Sequence, residues 1–403
     1  MKITSSDYGM ILVVFLLICV GLVAIYSASY QVESPALRAN FAKQLLWFFI
    51  ATVLMVVAII VPTRGYFIAS YWMYGLSIIF LILTLIIGHG NSVMRWITIG
   101  PFKFQPSEFA KIAIILTLAR YLSDEKRDLN KLKDIGIAAG LVFVPFLLIA
   151  RQPDLGTSLV FMTITMPILY WAGLPAFYLF TIFAPFLVMI ASFNFYTFSL
   201  TMLVIAVVLI LFRRGLFVVI SNMILNISVG IITPILWNML HDYQKHRILT
   251  FIGLEMDPRG LSYQVIQSKV AIGSGGLLGK GLTNGTQTQL RFLPAQHTDF
   301  VFSLIGEEMG FVGSLFVIVL FMILLLRGIH IASRVRNQFS ALMAIGAVTV
   351  IGFHVIVNIG MTVGMLPVTG LPLPFVSYGG SFLIVCMILI GMIINASVRR
   401  YRY

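Results

Sequence analysis

Residues 9–29 read GMILVVFLLICVGLVAIYSAS, an apolar run without a charged side chain. A helix that rises about 1.5 Å per residue needs about 20 such residues to cross the roughly 30 Å hydrocarbon layer of a bilayer. A helix is expected because its backbone hydrogen bonds close within the segment, as a membrane requires. The run therefore predicts a membrane-spanning helix.

Similar runs recur along the chain, which is 60% hydrophobic and only 10% charged. Soluble domains are about a quarter charged, so this composition indicates a chain solvated largely by lipid. The predicted spans lie at 9–29, 44–62, 68–88, 107–122, 135–151, 156–172, 177–193, 199–212, 216–237, 302–326, 338–362 and 375–397. The sequence thus predicts an all-α polytopic membrane protein.

The net charge of +13 comes from basic residues in short clusters between the apolar runs. No basic helix is long enough to follow a phosphate backbone, which argues against a nucleic-acid partner. With the N-terminus inside, alternating spans place fourteen of the 27 Lys and Arg residues on the inner side and five in the short outer loops. Because short cytoplasmic loops are enriched in Lys and Arg, both termini are predicted to be cytoplasmic and the long segment 238–300 periplasmic.

The long segment contains GSGGLLGK at 273–280, which superficially resembles a phosphate loop. Ser274 stands where such a loop needs a glycine, and Gly281 stands where it needs a hydroxyl residue for magnesium. We therefore expect the glycines to permit a tight backbone and Lys280 to face an anion.

Asp299, in PAQHTDF at 294–300, is predicted to lie at the membrane boundary just ahead of a span. The helix dipole favours a carboxylate there, so a capping role and a functional role are both compatible with its position. Glu307 and Glu308 lie one to two turns deeper, where carboxylates normally pair or face a cavity. At least one of them is expected to point into the bundle.

A second polar group surrounds the start of the fourth span and contains Arg95, Lys103, Glu108 and Lys111. Glu108 and Lys111 are three residues apart and share one helical face. They either neutralise each other or line a cavity that opens outward. Asp154 also falls on the outer side. Acids and bases thus gather on several outer loops, which predicts the functional site on the periplasmic side.

Seven stretches along the chain carry a family resemblance. They are RW at 95–96, QPSEFAK at 105–111, RQPDLGTS at 151–158, HDYQKHR at 241–247, YQVIQSKVAIGSGGLLGKG at 263–281, FLPAQHTDFVFSLIGEEMG at 292–310 and GLPLPFVSYGGS at 370–381. Through them the sequence resembles the SEDS family (shape, elongation, division and sporulation), and its elongation members more than its division members. The resemblance implies a single membrane domain, residues 1–403, with ten core transmembrane helices. Twelve spans were predicted above, two more than the family's ten, and the extra pair at 177–214 is interpreted as an inserted hairpin.

The resemblance also implies a peptidoglycan glycosyltransferase for cell elongation and rod shape. Its substrate would be lipid II, a disaccharide-pentapeptide on undecaprenyl diphosphate, and its product a nascent β-1,4-linked glycan chain. An α-linked donor and a β-linked product imply one inverting displacement, which needs a base but no nucleophilic carboxylate. In the family the aspartate of the HTDF motif is essential, and here it is Asp299. We take it as the general base, or as the group that holds the attacking hydroxyl in line.

The other site residues are expected to bind the substrate, with cations on the diphosphate and carboxylates orienting them. These substrate-binding candidates are Arg95, Glu108, Lys111, Lys269, Lys280, His297, Thr298 and Glu307. No nucleotide is required, because the diphosphate bond supplies the energy. A divalent cation, Mg²⁺ or Mn²⁺, could share in stabilising the leaving group.

The resemblance further implies a location and partners. The location is the bacterial inner membrane, and the expected partners are a class B penicillin-binding protein, which is a transpeptidase, and other membrane proteins of the elongation complex. A lipid II flippase is the main alternative function, because many spans and an intramembrane Glu–Lys pair also suit a transporter. A transporter should show internal repeats, and none is visible in the sequence. A scaffold is a third alternative.

Overall fold

The computed structural model of the chain describes residues 5–30, 35–87, 95–99, 102–152, 154–212, 215–239, 245, 249, 261–290, 292–293 and 295–399. These ranges contain fourteen helices and one small hairpin. The helices are α1 Ser5–Ser29, α2 Pro35–Ile60, α3 Thr63–Ile87, α4 Pro106–Leu122, α5 Leu132–Ala150, α6 Leu155–Trp171, α7 Ala176–Ala191, α8 Phe195–Leu211, α9 Leu216–Met239, α10 Leu261–Ser274, α11 Thr286–Gln289, α12 Val301–Arg334, α13 Gln338–Thr362 and α14 Gly380–Val398. The strands are β1 Ile97–Ile99 and β2 Phe102–Phe104.

Every predicted span coincides with a helix. Within the described ranges, eight helices are long and apolar enough to cross a membrane, namely α1, α2, α3, α5, α9, α12, α13 and α14. Helices α6, α7 and α8 are apolar but shorter. The prediction of an all-α polytopic membrane protein is therefore confirmed, and the chain is a multi-pass membrane protein.

The β1–β2 hairpin was not predicted. Its strands pair antiparallel, with Ile97 opposite Phe104 and Ile99 opposite Phe102. β-branched and aromatic residues of this kind favour strands. The ring of Phe104 packs against Phe80 of α3 at 6.1 Å between centroids, so the hairpin fixes the chain just before α4 begins.

The chain forms two compact units, Met1–Ala172 with Met256–Tyr403, and Gly173–Glu255. In the smaller unit α7 and α8 form an antiparallel hairpin. Its core consists of Phe177, Ala184, Val188, Met202, Ile205 and Leu209, against which side chains of α9 pack. The interpretation of 177–214 as an insertion stays a prediction, and Arg213 and Arg214 lie outside the described residues.

In the larger unit α4, α13 and α14 are the most buried helices. Helices α2 and α3 instead expose large apolar side chains such as Phe49 and Trp72, as lipid-facing helices do. The polar residues of α4 and α13 therefore lie in the interior of the unit.

The structure describes parts of the long segment predicted at 238–300. It contains α10 and the single-turn helix α11, and the end of the segment, residues 295–300, is a turn that leads into α12. Its HDYQKHR motif lies outside the described residues except for Lys245.

Helix α12 is broken at Gly310, whose backbone angles are φ 65° and ψ −160°. The glycine-rich segment that follows α10 supplies the hydrogen bonds that the helix loses there. The bonds run from Lys280 N–H to Glu307 O at 3.0 Å, from Gly281 N–H to Glu308 O at 3.0 Å, from Phe311 N–H to Gly276 O at 2.9 Å and from Val312 N–H to Leu277 O at 3.1 Å.

The glycines of this segment allow the close approach. A Cβ atom at Gly275 would collide with the carbonyl oxygen of Gly306, and one at Gly279 would collide with that of Glu308. The glycines thus permit the tight backbone that was expected, and this backbone packs against α12.

Candidate active site

Asp299 lies in the turn 295–300, directly before α12, and is partly exposed. The N–H groups of residues 298, 299 and 300 all point to the carbonyl of Ala295, at 3.1, 3.1 and 3.4 Å. Ala295 adopts a positive φ of 52°, which closes the turn. The N-cap residue of α12 is Phe300, so Asp299 stands one residue outside the cap position.

Three consecutive carbonyl groups in this turn are each held by a donor from α13 or from residues 363–379, which we call the α13–α14 loop. The donors fix the backbone that carries Asp299 from one side. The bonds are Tyr378 N–H to His297 O at 2.9 Å, Ser377 Oγ–H to Thr298 O at 2.5 Å and Asn358 Nδ2–H to Asp299 O at 2.8 Å. Phe300 anchors the other side in a buried apolar cluster.

The α13–α14 loop is itself fastened to neighbouring helices. Gln44 of α2 accepts from Gly379 N–H at 3.2 Å and donates to Ser377 O at 3.4 Å. Gly370 has a φ of +73°, and a Cβ atom there would lie 3.5 Å from Asp299 Oδ2. Gly370 is therefore part of the wall beside the Asp299 carboxylate.

Glu108 and Lys111 lie in the interior beneath this loop. Lys111 Nζ is 2.7 Å from Glu108 Oε1 and 3.0 Å from His354 Nε2 on α13. His354 Nδ1 is 3.2 Å from Pro372 O in the loop. Lys111 has no exposed surface and Glu108 almost none. Of the two interpretations left open by the sequence, this geometry fits mutual neutralisation, because a lysine at such depth needs paired acceptors.

Glu307 is completely buried at the break in α12 and accepts several hydrogen bonds. Lys280 Nζ lies 2.8 Å from Glu307 Oε1 and also donates to Thr286 Oγ1 at 2.7 Å. The backbone N–H groups of Gln287 and Thr288 also donate to the Glu307 carboxylate, at 2.9 and 3.0 Å. The Lys280 side chain remains 26% exposed, so it can still meet an anion from one side.

Glu308, the neighbour of Glu307, accepts from Ser27 Oγ of α1. It is buried as well, so both glutamates point into the protein. They join α1 and the glycine-rich segment to the broken helix.

Arg95 and Lys269 contact two different parts of the chain, Arg95 the residues before α6 and Lys269 the α13–α14 loop. Arg95 Nε donates to Gln152 O at 3.2 Å and lies 3.6 Å from Asp154 Oδ2. Asp154 caps α6 by accepting from Thr157 N–H at 3.1 Å. Lys269, exposed on α10, packs across Gly364 of the loop.

The structure therefore groups most of the predicted residues around one loop. Asp299, His297 and Thr298 lie in the turn 295–300, which this loop and Asn358 hold. Lys269 touches the loop, and Glu108 and Lys111 reach it through His354. Arg95 lies instead at Gln152 and Asp154. Lys280 and Glu307 instead belong to the break in α12. Burial lowers the pKa of His297, which favours its neutral imidazole. Among the described residues, no three His, Cys, Asp or Glu side chains cluster as a metal site.

The sequence analysis missed His354 and Asn358. Both interrupt the apolar run 338–362 and are four residues apart, which places them on one helical face. Polar residues within a span are rare and usually functional, so this pair was a usable signal.

Known proteins with similar sequences share nearly the whole length of this chain. "Peptidoglycan glycosyltransferase MrdB" of Escherichia coli is 38% identical over 98% of this chain and 94% of its own length. "Peptidoglycan glycosyltransferase RodA" of Treponema pallidum is 32% identical over 99% of both.

Solved structures show the same fold. One described as "Structural coordination of polymerization and crosslinking by a peptidoglycan synthase complex" superimposes with a TM-score of 0.73 and 29% identity over 98% of both chains. Residues 8–200 and 180–402 match the family FTSW_RODA_SPOVE, described as cell cycle proteins. With these matches along its whole length, the chain belongs to the FtsW/RodA/SpoVE family, the SEDS family that its motifs indicated.

Proposed function

We propose that this chain is a peptidoglycan glycosyltransferase that polymerises lipid II into glycan strands for cell elongation. The activity is the one named for its full-length relatives in E. coli and T. pallidum. The observation that carries the proposal is the partly exposed Asp299, whose backbone is held by three donors and whose carboxylate faces Gly370. Such fixed placement is what an in-line reaction requires of a catalytic group.

The reaction joins two lipid-linked sugars. The 4-hydroxyl of the acceptor GlcNAc attacks the anomeric carbon of the donor MurNAc, and a β-1,4 bond forms as the bond to the diphosphate breaks. Undecaprenyl diphosphate leaves with the bonding electrons, and the hydroxyl proton passes to Asp299. A single displacement inverts the α-linked donor, so one base is sufficient.

Cations would stabilise the negative charge that develops on the diphosphate. Arg95, Lys269 and Lys280 are the candidates with exposed side chains, and Glu307 orients Lys280 by a 2.8 Å contact. His297 and Thr298 flank the base and would contact the sugar. Glu108 and Lys111 would support the loop from below.

A divalent cation is part of the proposal. Mg²⁺ usually keeps several waters and binds phosphate oxygens of the substrate, so the diphosphate itself would supply ligands for the ion on the side opposite Asp299. The ion would add positive charge at the leaving group. Polymerisation measured with chelator, and again after Mg²⁺ or Mn²⁺ is restored, tests this point.

The chain is also proposed to work with a crosslinking enzyme. The solved complex to which it is similar is described as coordinating polymerization and crosslinking, and a class B penicillin-binding protein would supply the transpeptidase.

The positive-inside distribution supports cytoplasmic termini and a periplasmic site. Lipid II on the outer leaflet would then reach Asp299 directly.

The test is polymerisation of lipid II by purified protein, with Asp299→Asn against the wild type. The amide keeps the shape of the carboxylate but cannot take the proton, so we expect a rate loss of about 100-fold or more. Asp124→Asn, at an exposed acid in the α4–α5 connection, is the matched control and should keep the wild-type rate.

Near-normal polymerisation by Asp299→Asn would refute the assignment of the base. Liposomes that carry lipid II only on the outer side distinguish the flippase alternative. A polymerase makes glycan there, whereas a flippase only redistributes the lipid between leaflets.

A further inference from the structure

Gly370, which lies beside the Asp299 carboxylate, begins the stretch GLPLPF at 370–375. The two prolines of this stretch have no N–H group. The carbonyl groups of Leu371 and Pro372 are hydrogen-bonded to side chains of α13. Asn358 Nδ2 donates to Leu371 O at 2.7 Å, and His354 Nδ1 lies 3.2 Å from Pro372 O.

Asn358 also connects this stretch to the catalytic turn. Its amide nitrogen donates to Asp299 O at 2.8 Å as well as to Leu371 O. Because His354 and Asn358 lie one helical turn apart on α13, their two bonds hold neighbouring carbonyls on one face. The loop can move relative to Asp299 only if one of these bonds breaks.

The hydrogen-bond network fixes the tautomer of His354. The Lys111 ammonium group is only a donor, so His354 Nε2, 3.0 Å away, must accept. A neutral imidazole then carries its proton on Nδ1 and donates it to Pro372 O. The ring also packs against Phe382 at 4.9 Å between centroids, which limits its rotation.

We propose that His354 is a positioning residue for the glycosyl transfer, which holds Pro372 so that the loop keeps the Asp299 carboxylate in line with the acceptor hydroxyl. The inference rests on the proposed function of the chain. The buried Lys111–Glu108 pair serves the same end, because it sets the imidazole tautomer that can donate to the loop.

Two substitutions distinguish the hydrogen bond from His354 to Pro372 O from the hydrogen bond between Lys111 and His354. In asparagine the amide nitrogen is as many bonds from Cα as Nδ1 is in histidine, so His354→Asn keeps a donor for Pro372 O. In glutamine the amide group reaches as far as Nε2, so His354→Gln keeps an acceptor for Lys111. His354→Phe removes both and retains the ring.

The experiment measures kcat and KM for lipid II polymerisation by these three variants, per molecule of folded, monodisperse protein. We expect His354→Asn to keep kcat within about 5-fold of the wild type. His354→Gln and His354→Phe should lose about 10- to 100-fold in kcat, since small misplacements of a reacting group are this costly. KM should change much less, because the loop bond orients the base rather than binding the lipid.

His330→Phe is the matched control, since His330 is exposed on α12 and outside the network. It should retain the wild-type rate. The opposite order, with the Gln variant active and the Asn variant impaired, would make His354 only a buried partner of Lys111 and would overturn the proposal. Wild-type rates in all three variants, or loss of folded protein in all three, would overturn it equally. An inactive wild-type protein would instead refute the proposed function itself.

Discussion

At the scale of single residues, Asp299 is positioned through the backbone carbonyls of its turn. Its own carbonyl and those of the two preceding residues are bound by Asn358, Ser377 and Tyr378, and Gly370 lies beside its carboxylate. The turn therefore presents one carboxylate in a fixed place while leaving it partly exposed.

Gly370→Ala is expected to impair polymerisation more than folding. The positive φ of +73° costs an alanine about 1 kcal/mol in the free energy of unfolding, and the new methyl group would stand beside Asp299 Oδ2. Activity should fall about 10-fold or more, measured as the rate of glycan synthesis per folded molecule.

Gly173→Ala is the control for the backbone strain alone. Gly173 also has a positive φ, of 96°, and a Cβ atom there meets nothing within 4 Å. It should lose a similar amount of stability and no activity. Equal activity in the two variants would show that Gly370 has no part in the site.

The residue scale also shows what the sequence could and could not predict. Asp299 was predicted from its place at the membrane boundary and in the HTDF motif of the family. Lys280 was predicted from the glycine-rich segment, and Glu307 from its depth within a span. His354 and Asn358 stand out as polar residues in an apolar run, but their partners could not be predicted, because these are backbone carbonyls, which carry no residue-specific signal. The full burial of Lys111 was also not predictable, since it depends on a histidine far along the chain.

At the scale of elements, the break in α12 is the feature that departs most from the predicted span at 302–326. A single glycine within an apolar run is often tolerated inside a helix, so a break was not predicted from residues 302–326. The break exists because four backbone hydrogen bonds come from residues 276–281, a segment distant in sequence.

Gly310→Ala should therefore destabilise the fold strongly. Its φ of 65° and ψ of −160° lie in a region that only glycine adopts readily, at a cost of about 1–3 kcal/mol for other residues. A Cβ atom there would also collide with Gly279 N. The thermal unfolding midpoint of the purified protein in detergent should drop by several degrees.

Gly75→Ala on α3 provides the comparison. No atom lies within 4 Å of a Cβ built at Gly75, and alanine is a better helix former by about 1 kcal/mol. The midpoint should stay unchanged or rise. If both variants unfold at the same temperature, the backbone hydrogen bonds from residues 276–281 do not stabilise the break.

At the scale of the whole molecule, the positions of the helices were predictable from hydropathy, because lipid requires long apolar helices. Twelve spans were predicted, whereas eight helices of the described residues are long and apolar enough to cross a membrane and three more are apolar but shorter. The division into two units was not predicted, since it depends on contacts between distant segments. Orientation across the membrane stays a prediction from charge.

Cysteine labelling can test that orientation. Asn284→Cys is exposed near the proposed site and Lys126→Cys is exposed in the α4–α5 connection. A membrane-impermeant thiol reagent should label the first in intact spheroplasts and the second only after permeabilisation. The parent protein, with Cys386 buried and Cys19 partly buried inside helices, gives the background. The reverse pattern would place the site on the cytoplasmic side.

The break at Gly310 has one more consequence for a protein that must fit its bilayer. In a continuous helix each added residue turns everything beyond it by about 100°, because there are about 3.6 residues per turn. Here residues 307 and 308 are held by Lys280 and Gly281, which lie outside the helix, and residues 311 and 312 are bound to the same segment. The part of α12 beyond residue 312 can therefore lengthen or shorten to match a thicker or thinner membrane without rotating Asp299 away from Gly370.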